Sequence, residues 1–398
     1  MNSPSTGPAS QHEPEVRSAI AATRTSKLFE PVQLGSLAVK NRIVMPAMTR
    51  TLSPLGIPGT DSAAYYARRA KGGVGLIIAE GTWIPHDAAA NEDDAPRMYG
   101  PQALKGWAEV VRQVHAEDTP IFSQLWHVGQ MKQHMVEGLY AERPADYVPP
   151  RRVGPSGLFG GISQPLTHDG TAATQADLDS IVESYAKAAI NAQQTGFDGV
   201  ELHAAHGYLL DQFFWPGTNK RTDSYGGPMR NRIRLATEAV AEIRRATGPD
   251  LPISLRLSQW KVQDFKAKLF ESPGDLEQFV APLVDAGVTV FHCSQRRFWE
   301  TEFGSDRNLA AWVQNISGRP AISVGSVAQT GEHIDTLMGQ ASGVSGIDRL
   351  LTMMDRGDFA MIAVGRGLLV DPEWPEKVRE GRLDQLRVWN PDVLKSLI

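Results

Sequence analysis

Eight short apolar runs recur along this chain at intervals long enough for a helix between each pair. They are Arg42–Met48, Gly75–Ala79, Ile121–Trp126, Gly199–Leu202, Ile253–Leu257, Val290–Cys293, Ala321–Val324 and Met361–Val364. Each is four to seven residues long, and most carry β-branched side chains. Continuous apolar segments of that length suit parallel strands buried on both faces. The intervening stretches read as helices. Ser62–Gly72 ends on glycines, and Pro101–Ala116 follows the second run. Gln175–Thr195 sits between a capping Thr174 and Gly196. Further helices fit Met229–Thr247, Gly274–Ala286, Leu309–Ile316, Gly331–Met338 and Asp348–Asp355, with a last pair after Asp371. Eight strands alternating with helices predict an α/β chain, a (β/α)8 TIM barrel built as a single domain. An open, doubly wound sheet is the structural alternative.

The chain has 398 residues, which one barrel can absorb if loops are inserted. Two insertions break the rhythm, near 129–173 and 206–228, and both leave the C-terminal ends of strands. Residues 1–26 are polar and rich in Pro and Ser; they read as a flexible tail with a short helix near Val16–Thr23, ahead of a barrel over 27–398. A net charge of −5 and no basic run beyond a pair argue against nucleic acid as partner. The apolar runs are strand-sized, so no membrane span is expected. The one cysteine, Cys293, cannot form a disulfide within the chain or hold an iron–sulfur cluster. Without a signal-like N-terminus, these features point to a cytoplasmic enzyme of small molecules; association into a homo-oligomer is left open.

The unusual polar residues fall where the strands end. All eight C-terminal ends of a barrel meet at one mouth, so these residues become neighbours. Gly325 and Ser326 follow the seventh run, and Gly365, Arg366 and Gly367 the eighth. Barrels commonly bind phosphate there, with glycines admitting backbone N–H groups and Arg366 supplying a fork of donors. Tight turning alone is the alternative. A Rossmann fingerprint fails, because Val370 stands where the third glycine belongs.

His203 and His206, three residues apart after the fourth run, lack the HExxH pattern and any cysteine pair of a zinc site. Two imidazole donors can instead bind one carbonyl oxygen and stabilise the enolate formed there. Tyr208 then offers a phenol as proton donor. Arg256 lies inside an apolar run and must meet an anion, a carboxylate such as Glu80 or Glu201, or an electron-rich ring.

These segments together resemble a family. LFEPVQLG from Leu28, KNRIVMPAMTR from Lys40, IIAEGTW from Ile77 and SQLWHVG from Ser123 occur in its order. So do ELHAAHGYLLDQFFWPGTNKRTDSYGG from Glu201, SLRLS from Ser254 and AVGRGLLVDPEW from Ala363. The chain is similar to the old yellow enzymes, NAD(P)H:flavin ene-reductases, from about Leu28 to Trp374. The resemblance implies FMN in the barrel mouth and NADPH or NADH as electron donor. It implies that Ala47, Met48, Thr49, Gly81 and Gln124 meet the flavin ring and that Arg256 neutralises its N1–C2=O region. Gly325, Ser326, Gly365 and Arg366 would hold the phosphate, and His203, His206 and Tyr208 would act on the substrate. Thr49 stands where a second branch of the family carries cysteine. SQWKVQDF from Ser258 and FHCSQRRFWE from Phe291 look like a bacterial subgroup.

The expected reaction is reduction of alkenes conjugated to a carbonyl or nitro group, by ping-pong hydride transfer. Two other functions are left open: a flavin oxidase or dehydrogenase of a small hydroxy or amine substrate, and a flavin-binding protein without catalysis.

Overall fold

The computed structural model describes residues 26–91, 94–131, 151–161, 163–168, 170–331, 336 and 342–398. Its centre is a closed barrel of eight parallel strands. In chain order they are β1 (Ile43–Met45), β2 (Leu76–Trp83), β3 (Ile121–Trp126) and β4 (Gly199–His203), then β5 (Ile253–Leu257), β6 (Val290–Ser294), β7 (Ala321–Val324) and β8 (Met361–Ala363). Closure comes from β8 pairing with β1, Ile362 opposite Ile43 and Ala363 opposite Val44. The open-sheet alternative is thereby excluded.

β3, β5 and β7 have the expected bounds. β1 stops at Met45, three residues early, because Pro46 has no N–H to give the ladder. β2 runs four residues further than expected, through an irregular register between Ile78 and Gly81. The expected helix Met229–Thr247 is two pieces, Met229–Arg232 and Arg234–Thr247, meeting at Ile233. The helix Gln175–Thr195 has its expected bounds, with Thr174 and Asp177 closing a capping box. The N-terminal tail, its short helix and most of the helix expected at Gly331–Met338 lie outside the described residues, as does the middle of the first insertion.

Side chains alternate between the helix-facing side and the barrel axis. The axis fills in layers. Val44, Leu76, Ile78, Phe122, Val290, Ile322 and Met361 form an apolar floor. Gly199 leaves room there for Phe122, whose ring would lie 2.5 Å from any Cβ. Below the floor, an antiparallel pair that sequence patterning did not anticipate, Val32–Leu34 with Leu37–Val39, adds Leu34 and Val39 to the same cluster. Next comes a polar layer of Gln124, Glu201, Ser254 and His292, and above it Trp126, His203, Arg256 and Ser294.

The larger apolar cluster lies between barrel and helices. Trp107, on the helix Pro101–His115, is fully buried in it, against Phe197 and Tyr66. Trp107→Ala should cost about 3–5 kcal/mol of stability. The urea midpoint measures this; a loss below about 1 kcal/mol would mean that the layer closes over the gap.

Candidate active site

At the C-terminal mouth of the barrel lies a cavity of ≈ 280 Å³. Its walls include Ala47, Met48, Thr49, Gln124, His203, His206, Tyr208, Arg256, Gly325, Ser326, Gly365 and Arg366. Of the sequence-predicted residues, Gly367 and Gly81 are not on the wall. A Cβ at Gly81 would lie 2.6 Å from the ring of Trp126, which stacks on Trp83. Its glycine is explained by that packing.

His203 closes β4, level with Arg256 on β5. The next turn brings His206 and Tyr208 back over it. The His203 ring centroid is 5.0 Å from that of His206 and 4.6 Å from that of Tyr208, with Trp126 edge-on to Tyr208 at 5.0 Å. His206 Nε2 lies 2.7 Å from Ser294 Oγ, whose hydroxyl can serve either tautomer, and its ring stacks on Trp260. Nδ1 of His203 is buried with no hydrogen-bond partner among the described residues. Burial, reinforced by the Arg256 charge, holds both imidazoles well below their ordinary pKa. Both are therefore neutral N–H donors at physiological pH.

Arg256 is buried and forms no ion pair among the described residues. Nη1 donates to the Ala47 carbonyl at 3.1 Å, and Nε has no partner. The two carboxylates that could have neutralised it are engaged elsewhere. Glu80 accepts from the Arg50 N–H at 2.8 Å and lies beside the Tyr66 hydroxyl. Glu201 accepts from Gln124 Nε2 at 2.8 Å and Ser254 Oγ at 2.9 Å, and meets His292 Nδ1 at 2.9 Å. Burial raises the Glu201 carboxyl, but His292 and Arg256 outweigh it and leave it below the usual carboxylate range.

The turns after β7 and β8 pack together. Gly325 has φ 149°, and a Cβ there would lie 2.4 Å from the Gln295 carbonyl. Arg366 donates to Thr336 Oγ1 at 3.0 Å, Ser326 Oγ at 3.3 Å and the Gly331 carbonyl at 2.6 Å. These bonds aim its guanidinium across the β7 turn.

Sequence reasoning missed much of the upper wall. Trp260, Val262 and Phe265 come from the loop after β5, within the SQWKVQDF segment that looks like a bacterial subgroup. The rule that loops at strand C-terminal ends converge could have nominated them. Trp389 and Leu394 come from the C-terminal segment and had no periodic signal. Arg50 straps that segment down, donating to the carbonyls of Val393 at 2.6 Å and Ser396 at 2.9 Å. Arg297 pairs with Glu300 at 2.9 Å, while Arg296 lies on the cavity wall over the Phe265 ring.

The NADH:flavin oxidoreductase / NADH oxidase family matches residues 27–385. An NADH oxidase from Thermoanaerobacter brockii is 32% identical over 92% of this chain, which spans only 52% of that protein's length. 12-Oxophytodienoate reductase 7 from Oryza sativa is 31% identical, over 89% of this chain and 88% of its own. A solved structure of morphinone reductase in complex with tetrahydroNAD superposes with a TM-score of 0.72 at 28% identity, covering 92% of this chain and 93% of that one. The C-terminal strap lies beyond the matched residues.

Two outcomes follow from this geometry. A chain ending at Leu386 should bind flavin about tenfold or more weakly, roughly 1.4 kcal/mol; an unchanged dissociation constant, measured by flavin fluorescence, would show the strap to be dispensable. The second concerns pH. His127, His203 and His206 are all held well below 6.5 by burial, whereas unfolded histidines take up protons near pH 6.5. The unfolded state therefore binds more protons below that pH, and stability falls on acidification. Glu80, pushed up to about 7 by burial, works in the opposite sense but is outnumbered. The urea midpoint should drop between pH 7.5 and 5.5, and drop more steeply in Glu80→Gln; a rise would contradict the neutral-histidine assignment.

Proposed function

The chain belongs to the old yellow enzyme family of NADH:flavin oxidoreductases, and from that membership we propose that it is an FMN-dependent ene-reductase acting on alkenes conjugated to a carbonyl or nitro group. The observation that carries this reading is the convergence of His203, His206 and Tyr208 at 4.6–5.0 Å between rings, on the wall of a largely apolar cavity.

The chain's own donors fit the cofactor. Arg256 keeps a buried Nε without a partner, and a buried guanidinium that meets only one carbonyl suits an electron-rich ring edge. Gln124 spends one N–H on Glu201, an orientation that leaves its carbonyl oxygen for a ring N–H. Arg256 and Gln124 would hold the polar side of the isoalloxazine, with Ala47, Met48, Thr49 and Gly81 assigned by motif. Gly325, Ser326, Gly365 and Arg366 would hold the phosphate. FMN bound here supplies hydride transfer, from NADPH or NADH to the alkene. One mouth serves both reactants in turn, which supports a ping-pong order.

The residues divide the remaining work. His203 and His206 donate to the substrate's electron-withdrawing oxygen and stabilise the negative charge that gathers there. Tyr208 transfers its phenolic proton to Cα and regains one from solvent. Trp126 and Trp260 fix the rings of Tyr208 and His206 edge-on and face-on. The lone, buried Cys293 suits a reducing cytoplasmic setting.

Tyr208→Phe tests the assignment, since it keeps the ring and removes only the donor. Without oxygen, reduction by NAD(P)H should stay within about twofold, because that half needs no proton at Cα. Reoxidation by cyclohexenone should slow by roughly 10²–10⁴-fold. Rapid mixing separates the two. Equal slowing of both halves would make Tyr208 a scaffold, and undiminished enone reduction would place the acid elsewhere. A parent enzyme that cannot be reoxidised by cyclohexenone at all would overturn ene-reduction.

A further inference from the structure

Beneath the His206–Tyr208 turn lies an ion pair that the mechanism above does not use. Lys261 Nζ and Asp211 Oδ1 are 2.7 Å apart, and both side chains are fully buried. Asp211 sits on the short helix Leu209–Phe214, directly after the turn. Lys261 sits in the SQWKVQDF segment after β5, whose Trp260, Val262 and Phe265 line the cavity.

The pair is wired to the turn through backbone groups. Asp211 Oδ2 accepts the N–H of Gly207 at 2.7 Å, between the two side chains that face the substrate. Lys261 Nζ also donates to the Ser258 carbonyl at 3.1 Å. Ser258 Oγ in turn accepts the N–H of His206 at 3.0 Å. The backbone being held is not a relaxed one. His206 has φ 64° and Gly207 φ 81°, consecutive residues in the left-handed region. Outside glycine that region is disfavoured and persists only where its surroundings impose it.

We propose that Asp211 and Lys261 are positioning residues that hold the oxyanion and proton-donor groups of His206 and Tyr208 in register over the cavity. This rests on the reading that these side chains act on the substrate. Two fully buried charges are a poor source of stability, since apolar residues of like volume often serve as well. Burial raises the Asp211 carboxyl and lowers the Lys261 ammonium, each opposed by the other's charge. What an apolar pair cannot do is accept the Gly207 N–H. Losing that acceptor frees the turn to relax, and displacement of a catalytic group by about 1 Å can cost 100-fold in rate.

The test compares the flavin-loaded parent with Lys261→Met/Asp211→Leu and with Asp211→Asn. Flavin content and melting temperature report folding. Titration with 4-chlorophenol, a stand-in for the enolate, reports the oxyanion site through its long-wavelength band. Rapid mixing with cyclohexenone reports chemistry. In the double variant, with flavin retained and melting within a few degrees, phenol affinity and enone reoxidation should each fall roughly 10- to 100-fold. Asp211→Asn, of the same shape, should fall by a smaller factor in both. If the double variant loses flavin, Asp211→Asn decides by the same two readouts. Unchanged phenol affinity and enone rate in a flavin-loaded variant overturn the proposal. A parent that binds no phenol and reduces no enone instead overturns the reading on which it rests.

Discussion

A closed barrel sends every second side chain of every strand toward one axis, and whatever meets there must be packed and electrically satisfied. This chain meets the requirement with a carboxylate. Glu201 sits fully buried between Gln124, Ser254 and His292, one residue from each of the neighbouring strands β3 and β5 and one from β6. Apolar side chains close the barrel below this layer and reactive ones stand above it. Removing the carboxylate would leave three buried donors without their acceptor. The layer therefore fixes more than charge. It sets which way the Gln124 amide faces, and it denies Arg256 a direct ion pair with Glu201, although the two charges act on each other.

The buried arginines show how that denial distinguishes function from packing. Arg69 spreads its guanidinium over the carbonyls of Tyr65, Leu368 and Leu369 and lies 3.9 Å above the Tyr65 ring. Arg50 ties down the C-terminal segment through two carbonyls. Arg366 spans two hydroxyls and a carbonyl in the turn after β7. Arg256 has the Ala47 carbonyl and an idle Nε. Arg69 is complete without a ligand, and Arg50 keeps an idle Nε but already spends its guanidinium on two carbonyls. Arg256 meets a single carbonyl and lines the cavity, where an electron-rich group would complete it.

The barrel was legible because buried parallel strands must be short, apolar and evenly spaced, and eight of them alternating with helices favour closure; the pairing of β8 with β1 then decides against the open sheet. The mouth was legible because polar residues that end apolar strands have one place to go. His203, His206, Tyr208, Arg256, Gly325 and Arg366 were nominated on that ground and stand on one cavity wall. What could not be read depended on distance in space without a pattern in sequence. The hairpin below the barrel is too short to show alternation. The resemblance sets Gly81 against the flavin ring, yet the constraint seen on it is the face of Trp126, 45 residues away in the chain. Trp389 and Leu394 look like any apolar residues of a terminal segment until Arg50 is seen to hold the carbonyls of Val393 and Ser396 in that segment. Arg256 shows a subtler limit: its sequence required a counter-group, and two acids were available, but only the registers of β4 on β5 and of β5 on β6 bring Glu201 to His292.

The charges around the mouth also explain why two kinds of donor are needed. Arg256 and Lys261 both bear on His206, and together with burial they keep its imidazole neutral. A neutral imidazole is a good hydrogen-bond donor but a very weak acid, so it can bind an oxygen without protonating it. That suits stabilisation of an enolate, where charge must be held on oxygen while carbon stays basic. Protonation of carbon then falls to a group that is more acidic than neutral imidazole yet uncharged at neutral pH. A phenol is such a group, and Tyr208 is the phenol that packs against both His203 and Trp126. Were His206 exposed, it would titrate near pH 6.5 and compete for the same role. On the proposed reading, burying both histidines beside fixed cations separates the site that holds charge from the one that gives the proton.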